Sequence, residues 1–302
     1  MKKIALLIPF QKEPKPILPI INDAIQKLRE EDIAVQFFDP QTASPSVKKT
    51  EWVAVYDRYP SILRERSYSL WRKQYPKVVH GNTLPFIQFC ENKKLSQQCL
   101  ENKEIVMPAL LSTNRSTYFK DVFEKPIFGS AGKGILFHRK NTPLPPINPQ
   151  TTIFQEAVPP PKGWAGWCVR QLAQKNINEK WLLRTPILRR STTDPVVNAT
   201  RGAVVDCAAD VLSSDTYRKI QDLSLKIVAV FDSMFPNQLI FEVGLDFVVD
   251  KNFSPWFLEA NARPRGKLRY LYESEPLRFR EEYQAAWMLP FRYLAKKCSQ
   301  EA

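Results

Sequence analysis

Residues 240–267 read IFEVGLDFVVDKNFSPWFLEANARPRGK, and they are the most informative stretch of the sequence. In its first half apolar residues alternate with polar or small ones, which is the period-two pattern of a β-strand, and a short turn then leads into a second apolar run. We expect a hairpin on which Asp246, from the first strand, lies near Glu259 and Asn261 from the second. These oxygen donors suit Mg²⁺, an ion that also binds nucleotide phosphates. Lone acidic strand residues are more often solvated surface, but these interrupt a strongly apolar hairpin.

A lysine followed by a glycine-rich turn is the second informative feature, in the stretch VFEKPIFGSAGKGILFHRK at residues 122–140. One strand carries Lys125, and the turn precedes a second strand at 135–138. Glycine lets the backbone approach phosphate groups, and a lysine on a strand adds a fixed positive charge. The turn lies between two strands and lacks the Gly-Lys-Ser/Thr ending of a P-loop. It predicts either a phosphate-binding loop of another kind or an ordinary glycine hairpin with an exposed lysine.

Both stretches resemble the ATP-grasp superfamily, and further motifs resemble its YheC/YheD-like branch from spore-forming bacteria. The Asn-Ala-Arg-Pro segment at 261–264 is similar to the superfamily's Asn-x-x-Pro ending. An Arg-x-x-x-Gln-Lys motif at 170–175, followed in order by Trp, Arg, Asn and Gly, is similar to the branch, as are the stretches at 56–58 and 92–93. The resemblance implies an ATP-grasp fold of the α/β (α+β) class, Mg-ATP as cofactor, and the metal ligands Asp246, Glu259 and Asn261.

For the nucleotide, the resemblance implies contacts from a lysine near residue 93, from the glycine turn and from the strand after it. Whether Lys93 or Lys94 is the first of these lysines stays open. The strand TTIFQEAV at 151–158 would read the adenine edge, while Lys162 and Gly163 stand where an acidic residue usually holds the ribose. The implied ATP contacts are Lys93, Lys125, Gly129, Ser130, Gly132, Gly134, Gln155, Glu156, Ala157 and Val158.

Arginines on the predicted strands at 167–174 and 181–190 are candidates for stabilising a transferred phosphoryl group. Such a run is more often a solvated sheet face. The branch has Asp-x-Arg where this chain reads Cys-Val-Arg, so Cys168 replaces a carboxylate that would orient the arginine after it. The catalytic residues that the resemblance implies are Arg170, Arg189, Asn198 and Arg263.

The composition limits the other classes of function. The 302 residues carry a net charge of +13, which attracts polyanions, but the basic residues are scattered and no nucleic-acid-binding motif organises them. The five cysteines are odd in number and form no close pair, which predicts reduced thiols and disfavours a zinc site. Because there is no run of about 18 apolar residues and no secretory signal, we expect a cytoplasmic protein without a membrane span.

We expect two domains, an open α/β pre-ATP-grasp domain at 1–90 and an ATP-grasp domain at 91–302. The second would divide into a nucleotide-binding subdomain at 91–158 and a metal and catalytic subdomain at 159–302. The predicted helices are 20–30, 64–75, 92–101, 215–231 and 275–297. Besides the hairpin, the predicted strands are 1–10, 34–38, 51–56, 78–79, 135–138, 151–158, 167–174 and 181–190.

The resemblance implies an ADP-forming ligase, in which Mg-ATP phosphorylates a carboxylate and an amine attacks the acylphosphate to form an amide or peptide bond. Two Mg²⁺ ions are expected, with Mn²⁺ as a substitute. The expected partners are a small amino acid, a peptide or an acidic protein rather than nucleic acid, and the sequence is compatible with a homo-oligomer. The alternative is a degenerate ATP-binding protein with a structural or spore-coat role, which Cys168 and the missing ribose acid would favour.

Overall fold

A computed structural model describes residues 1–7, 19–39, 52–59, 78–129, 132–264 and 268–300. Within these ranges strands and helices build three sheets with helices packed on them, which confirms the mixed α/β class. The first strand, predicted to extend to residue 10, is described as far as Leu7. The predicted helix at 64–75 lies outside the described residues.

The N-terminal sheet consists of four parallel strands in the order β2-β1-β3-β4. Apolar residues run almost continuously through β1 and β3, as expected for a parallel sheet that is covered on both faces. Helix α1 packs beside the sheet, with Ala24 and Leu28 in the core cluster that also buries Ile4. The elements are β1 (Lys2–Leu7), α1 (Pro19–Glu30), β2 (Ile33–Phe38), β3 (Trp52–Asp57) and β4 (Val79–Gly81).

Two short helices, α2 (Leu84–Glu91) and α3 (Lys93–Glu101), follow the N-terminal sheet. The sequence pattern predicts only the second of them. Asn92 separates the two because its side-chain oxygen accepts a hydrogen bond from the Leu95 amide at 3.0 Å, which is the usual role of an asparagine at a helix N-cap. This cap starts α3 at Lys93 and so fixes the place of that lysine.

The small sheet is antiparallel, in the order β5-β8-β6-β7. Its central strands place the Lys125 and Gln155 side chains in the interior, where both are buried. The glycine turn connects β6 to β7, as predicted. The strands are β5 (Leu110–Leu111), β6 (Val122–Pro126), β7 (Leu136–His138) and β8 (Thr152–Glu156).

The central sheet has the order β12-β11-β9-β13-β14, and β10 also pairs with β9. The single strand predicted at 181–190 is two strands, because Thr185 and Pro186 interrupt it and proline has no N–H for the ladder. The predicted hairpin is confirmed, since β13 and β14 pair antiparallel. The strands are β9 (Gly166–Lys175), β10 (Trp181–Leu183), β11 (Ile187–Ser191), β12 (Val204–Cys207), β13 (Glu242–Val249) and β14 (Pro255–Asn261).

One long helix, α5 (Ser214–Met234), packs on the apolar face of the central sheet, and another, α7 (Pro276–Gln300), packs on the N-terminal sheet. Helix α5 starts at a serine cap, with the Thr216 amide donating to Ser213 Oγ at 3.2 Å, and it buries Ile220 and Phe231. No helix among the described residues is long and apolar enough to cross a membrane. The remaining helices are α4 (Ala208–Val211) and α6 (Arg269–Ser274).

Candidate active site

A cleft of about 2000 Å³ is lined by both the small sheet and the central sheet. It contains each sequence-predicted site residue that the structure describes, whereas Ser130 lies outside the described residues. The residues brought together are Lys93, Lys125, Gly129, Gly132, Gly134, Gln155, Glu156, Ala157, Val158, Arg170, Arg189, Asn198, Asp246, Glu259, Asn261 and Arg263.

The β13–β14 hairpin presents its polar side chains to this cleft. Asp246 lies directly opposite Glu259 in the strand register, and Asn261 donates a hydrogen bond from Nδ2 to Asp246 Oδ2 at 3.1 Å. Phe247 and Val249, which point the other way, are buried in the core under α5. The alternation in the sequence therefore separates a core face from a polar face, as predicted.

Two arginines hold the carboxylate of Asp246. Arg170 lies opposite it on β9 and binds both oxygens, with Nε 2.8 Å from Oδ1 and Nη2 2.5 Å from Oδ2, while Arg189 Nη2 lies 2.8 Å from Oδ1. Burial opposes ionisation of Asp246, but the two arginines outweigh it and lower the pKa of the carboxyl below its ordinary value. Asp246 is therefore a carboxylate at neutral pH, with both oxygens in hydrogen bonds.

The oxygen donors of the hairpin fit a cation that is bound partly by protein side chains and partly by the phosphates of a nucleotide. No group of three or more His, Cys, Asp or Glu side chains suited to a metal ion occurs in the described part of the chain. Mg²⁺, however, is usually bound by one or two carboxylates together with phosphates and water. Asp246, Glu259 and Asn261 supply two carboxylates and an amide oxygen, and Glu259 is the more exposed of the two acids.

Lys93, the first residue of α3, approaches the hairpin. Lys93 Nζ donates to the Gly129 carbonyl at 2.7 Å and lies 3.9 Å from Glu259, so it joins the glycine turn to the hairpin. Its neighbour Lys94 donates to the Pro149 carbonyl at 3.2 Å and does not line the cleft. Of the two lysines that the sequence leaves open, Lys93 is therefore the one placed at the site.

Lys125 is buried and held by a chain of carboxamides. Its Nζ donates to Gln155 Oε1 at 2.5 Å, and Gln155 Nε2 donates to Gln97 Oε1 at 2.6 Å. Burial lowers the pKa of Lys125 to about 8, against the opposing effect of Glu259. Gln97 was not anticipated, because nothing in its local pattern marks it as part of a site.

On strand β8, the side chains of Gln155 and Glu156 are already in hydrogen bonds within the protein. The Gln155 amide is engaged at both ends, and Glu156 accepts from Lys120 at 2.6 Å. The Glu156 and Ala157 amides donate to the carbonyls of Ala109 and Asp121, each at 2.9 Å. Contacts to an adenine edge would have to use other backbone groups of residues 155–158.

The glycine turn lies against the loop that carries Asn198. Gly132 and Gly134 have φ angles of 70° and 72°, which favour glycine. A Cβ on Gly132 would lie 3.0 Å from Val196 Cγ1, so the two loops approach closely. The Asn198 carbonyl accepts the Arg201 amide at 2.9 Å, which shapes the second loop.

Arg263 lines the cleft, but its guanidinium makes hydrogen bonds to residues of the N-terminal part of the chain. It donates to the Tyr59 carbonyl and to Glu91 Oε1, and it lies 3.8 Å from Asp57. Tyr59 and Glu91 also line the cleft and were missed by the sequence analysis. The Tyr56-Asp57-Arg58 motif was the signal that could have found this edge of the site.

Cys168 occupies a buried position beside the arginine pair. It lies opposite Arg189 in the strand register, and Arg189 Nη2 donates to its sulfur at 3.1 Å. Burial raises the pKa of the thiol to about 11, so the side chain is neutral at physiological pH. Asp246 thus remains the carboxylate on which both arginines converge.

The chain matches one known family in part and shares its fold with several solved structures. Residues 147–293 match the family described as YheC/D like ATP-grasp, and no curated protein matches significantly. The fold is similar to that of a D-alanine–D-alanine ligase from Bacillus anthracis complexed with ATP, with 11% sequence identity, full coverage of both chains and a TM-score of 0.64. It is similar to that of D-alanyl-alanine synthetase A from Vibrio cholerae, with 13% identity, coverage of 97% of this chain and 99% of that chain, and a TM-score of 0.63. It is also similar to that of N5-carboxyaminoimidazole ribonucleotide synthetase from Thermotoga maritima, with 12% identity, coverage of 90% of this chain and 72% of that chain, and a TM-score of 0.58. The chain therefore has the ATP-grasp fold, and its residues 147–293 match the YheC/D-like ATP-grasp family.

Proposed function

We propose that this protein is an ADP-forming ligase that activates a carboxylate with ATP and joins it to an amine. One observation carries the proposal: in a single cleft, two lysines and two arginines surround the two carboxylates of the β13–β14 hairpin. Cationic side chains of this kind suit the phosphates of ATP, and the carboxylates suit the cation that accompanies them.

The proposed reaction has two steps. A carboxylate oxygen of the first substrate attacks the γ-phosphorus of ATP, and ADP leaves. The nitrogen of the amine then attacks the carbonyl carbon of the acylphosphate, phosphate leaves, and the nitrogen loses its proton. Neither step needs a covalent bond to the protein, so catalysis would consist of positioning and charge stabilisation.

The predicted nucleotide-binding and catalytic side chains have distinct roles in this proposal. Lys93 and Lys125 would bind the phosphates, and Arg170 and Arg189 would stabilise the negative charge of the transferred group. Arg263 would act by holding the edge formed by Tyr59 and Glu91, where its hydrogen bonds lie. Asn198, on the loop beside the glycine turn, would help to close the site over the nucleotide.

Mg²⁺ is the proposed second cofactor, with Asp246, Glu259 and Asn261 as its protein ligands. Bound with ATP, it would neutralise phosphate charge during transfer. Asp246 would then exchange part of its arginine contacts for the cation. We infer two ions, with Mn²⁺ as a substitute, from the resemblance to ATP-grasp enzymes; the two facing carboxylates of the hairpin are compatible with this number.

Free amino acids or short peptides are the substrate class that we propose to test first, in a cytoplasmic setting. Two fold neighbours are named for ligases of D-alanine, which supports this order of testing. We also retain the division into 1–90, 91–158 and 159–302 as a proposal. Helix α7 nevertheless packs on the N-terminal sheet, so the first and last of these units share a core.

The deciding experiment incubates the protein with Mg-ATP and pools of amino acids or acidic peptides. ADP and phosphate are measured together with products that mass spectrometry finds lighter by one water than the summed substrates. We expect release that depends on both substrates and is lost in Glu259→Gln. ATP binding without turnover in every pool would instead favour the degenerate, structural role.

A further inference from the structure

The β13–β14 hairpin is tied at both ends to the N-terminal part of the chain. Asn82, which follows β4, is buried, and its Nδ2 donates to the carbonyls of Glu242 and Ala262, each at 2.6 Å. Its Oδ1 accepts the Phe241 amide at 2.9 Å. One carboxamide therefore joins the start of β13 to the residue that follows β14.

A second tie reaches the side chain of Glu242, the first residue of β13. Tyr56, on β3, donates its hydroxyl to Glu242 Oε1 at 2.5 Å, and Arg58 donates to the same hydroxyl at 2.9 Å. Gln174 Nε2, from β9, donates to the other carboxylate oxygen at 2.5 Å. Burial raises the pKa of Tyr56 well above its ordinary value, so the phenol stays a neutral donor.

The third tie holds the chain just after β14. Arg58 Nη2 donates to the Pro264 carbonyl, and Arg263 donates to the Tyr59 carbonyl. Together with the bond from Asn82 to Ala262, these contacts anchor each of the three residues that follow Asn261. Satisfied hydrogen bonds in a buried or half-buried setting rigidify the segment that they hold, so these contacts restrict the backbone here in addition to the strand pairing.

We propose that Tyr56, Arg58 and Asn82 form a hairpin clamp, a set of positioning residues that holds the cation ligands of the hairpin in register with the phosphate-binding lysines. The inference rests on the proposed function of the hairpin. Asn261 is one residue from the clamped Ala262, and Asp246 is four residues from the clamped Glu242. A displacement of the clamped backbone therefore passes to both ligands, and displacements on the order of 1 Å are costly at such sites.

The test compares nucleotide binding with and without Mg²⁺, which needs no turnover. Asn82→Asp keeps an acceptor for the Phe241 amide but replaces the Nδ2 donor by an oxygen that repels two carbonyls. The ratio of the Kd for ADP without Mg²⁺ to that with Mg²⁺ measures the contribution of the cation site. We expect Asn82→Asp to reduce this ratio about tenfold, the size expected when buried hydrogen bonds are lost.

A graded variant and a matched control separate positioning from general stability. Tyr56→Phe removes the hydroxyl that donates to Glu242 and accepts from Arg58, leaves the Asn82 bonds in place, and should reduce the ratio by about two- to fivefold. Lys27→Met removes a side-chain hydrogen bond, from Lys27 Nζ to Gln284 Oε1 at 2.6 Å, that ties α1 to α7 and involves no residue of the hairpin. It should leave the ratio unchanged.

Thermal unfolding of the same proteins decides between the outcomes. A lower melting temperature in Asn82→Asp with an unchanged ratio would mean that the clamp only stabilises the fold, and it would overturn this inference alone. A ratio near one in the wild type would refute the cation assignment itself, and the inference with it. A reduced ratio in both clamp variants and not in Lys27→Met supports positioning.

Discussion

Lys125→Met should leave the free protein at least as stable as the wild type although it removes a residue of the proposed ATP site. Burial lowers the pKa of Lys125 from 10.5 to about 8. Because one pKa unit corresponds to about 1.4 kcal/mol, the buried ammonium lowers the free energy of unfolding by about 3 kcal/mol at neutral pH. Losing the bond to Gln155 costs about 1–3 kcal/mol in return. The net change should lie between zero and a gain of about 2 kcal/mol.

The pH dependence gives this prediction a definite sign. The folded pKa of Lys125 is the lowered one, so its penalty is fully present below about pH 8. Between that pH and the unfolded pKa near 10.5, the unfolded chain still holds the proton that the folded chain has lost, and stability rises with pH. The methionine variant lacks this rise, so its advantage over the wild type should shrink across the window.

Urea unfolding across this pH window measures the stability, and calorimetric titration measures the binding of ATP and of adenosine. Removing the charge should weaken ATP binding by about tenfold or more and leave adenosine binding nearly unchanged. Lys94→Met, just outside the cleft, is the matched control and should change neither quantity. A variant less stable than wild type by more than about 2 kcal/mol at neutral pH would refute the desolvation argument. Equal losses for ATP and adenosine would place the phosphates elsewhere.

Three further results are expected. Glu259→Gln keeps the shape of the hairpin but removes a charge, so ATP turnover should fall about 100-fold or more, and undiminished turnover at limiting Mg²⁺ would reject the assignment. Asp246→Asn leaves two mostly buried arginines without their carboxylate, so urea unfolding should show a loss of about 3 kcal/mol; a loss below about 1 kcal/mol would contradict the pairing. The raised pKa and burial of Cys168 should protect it from iodoacetamide at neutral pH, with peptide mass spectrometry showing earlier labelling of the less buried Cys99 and Cys298 and no early labelling of Cys168.

The parts of the fold that local pattern determines could be predicted from the sequence. Alternation of apolar residues separates the two faces of β13, and the short turn after it leaves antiparallel pairing as the natural arrangement, so the meeting of Asp246 with Glu259 follows. The glycine turn is predictable for the same reason, because positive φ angles at Gly132 and Gly134 depend on residue type.

Contacts between distant segments could not be predicted in this way. Gln97 lies 58 residues before Gln155, and Asn82 lies 160 residues before Glu242. Only the tertiary packing of separate elements brings the members of each pair together. Helix α2 was missed because its apolar residues lie on more than one side and do not form a clear stripe. Pro186 could have indicated the break in the strand predicted at 181–190, but the apolar residues around it favoured a continuous strand.

The return of α7 to the N-terminal sheet bears on how the chain reaches its native state during synthesis. Ile4, Leu6 and Ala54 share one buried cluster with Phe291 and Leu294, yet α7 is translated after every described strand. Until that helix leaves the ribosome, one apolar face of the N-terminal sheet stays open to solvent and to other chains. The first sheet made is therefore among the last parts to be completed, and nascent chains that stop before α7 should be bound by chaperones and prone to aggregation.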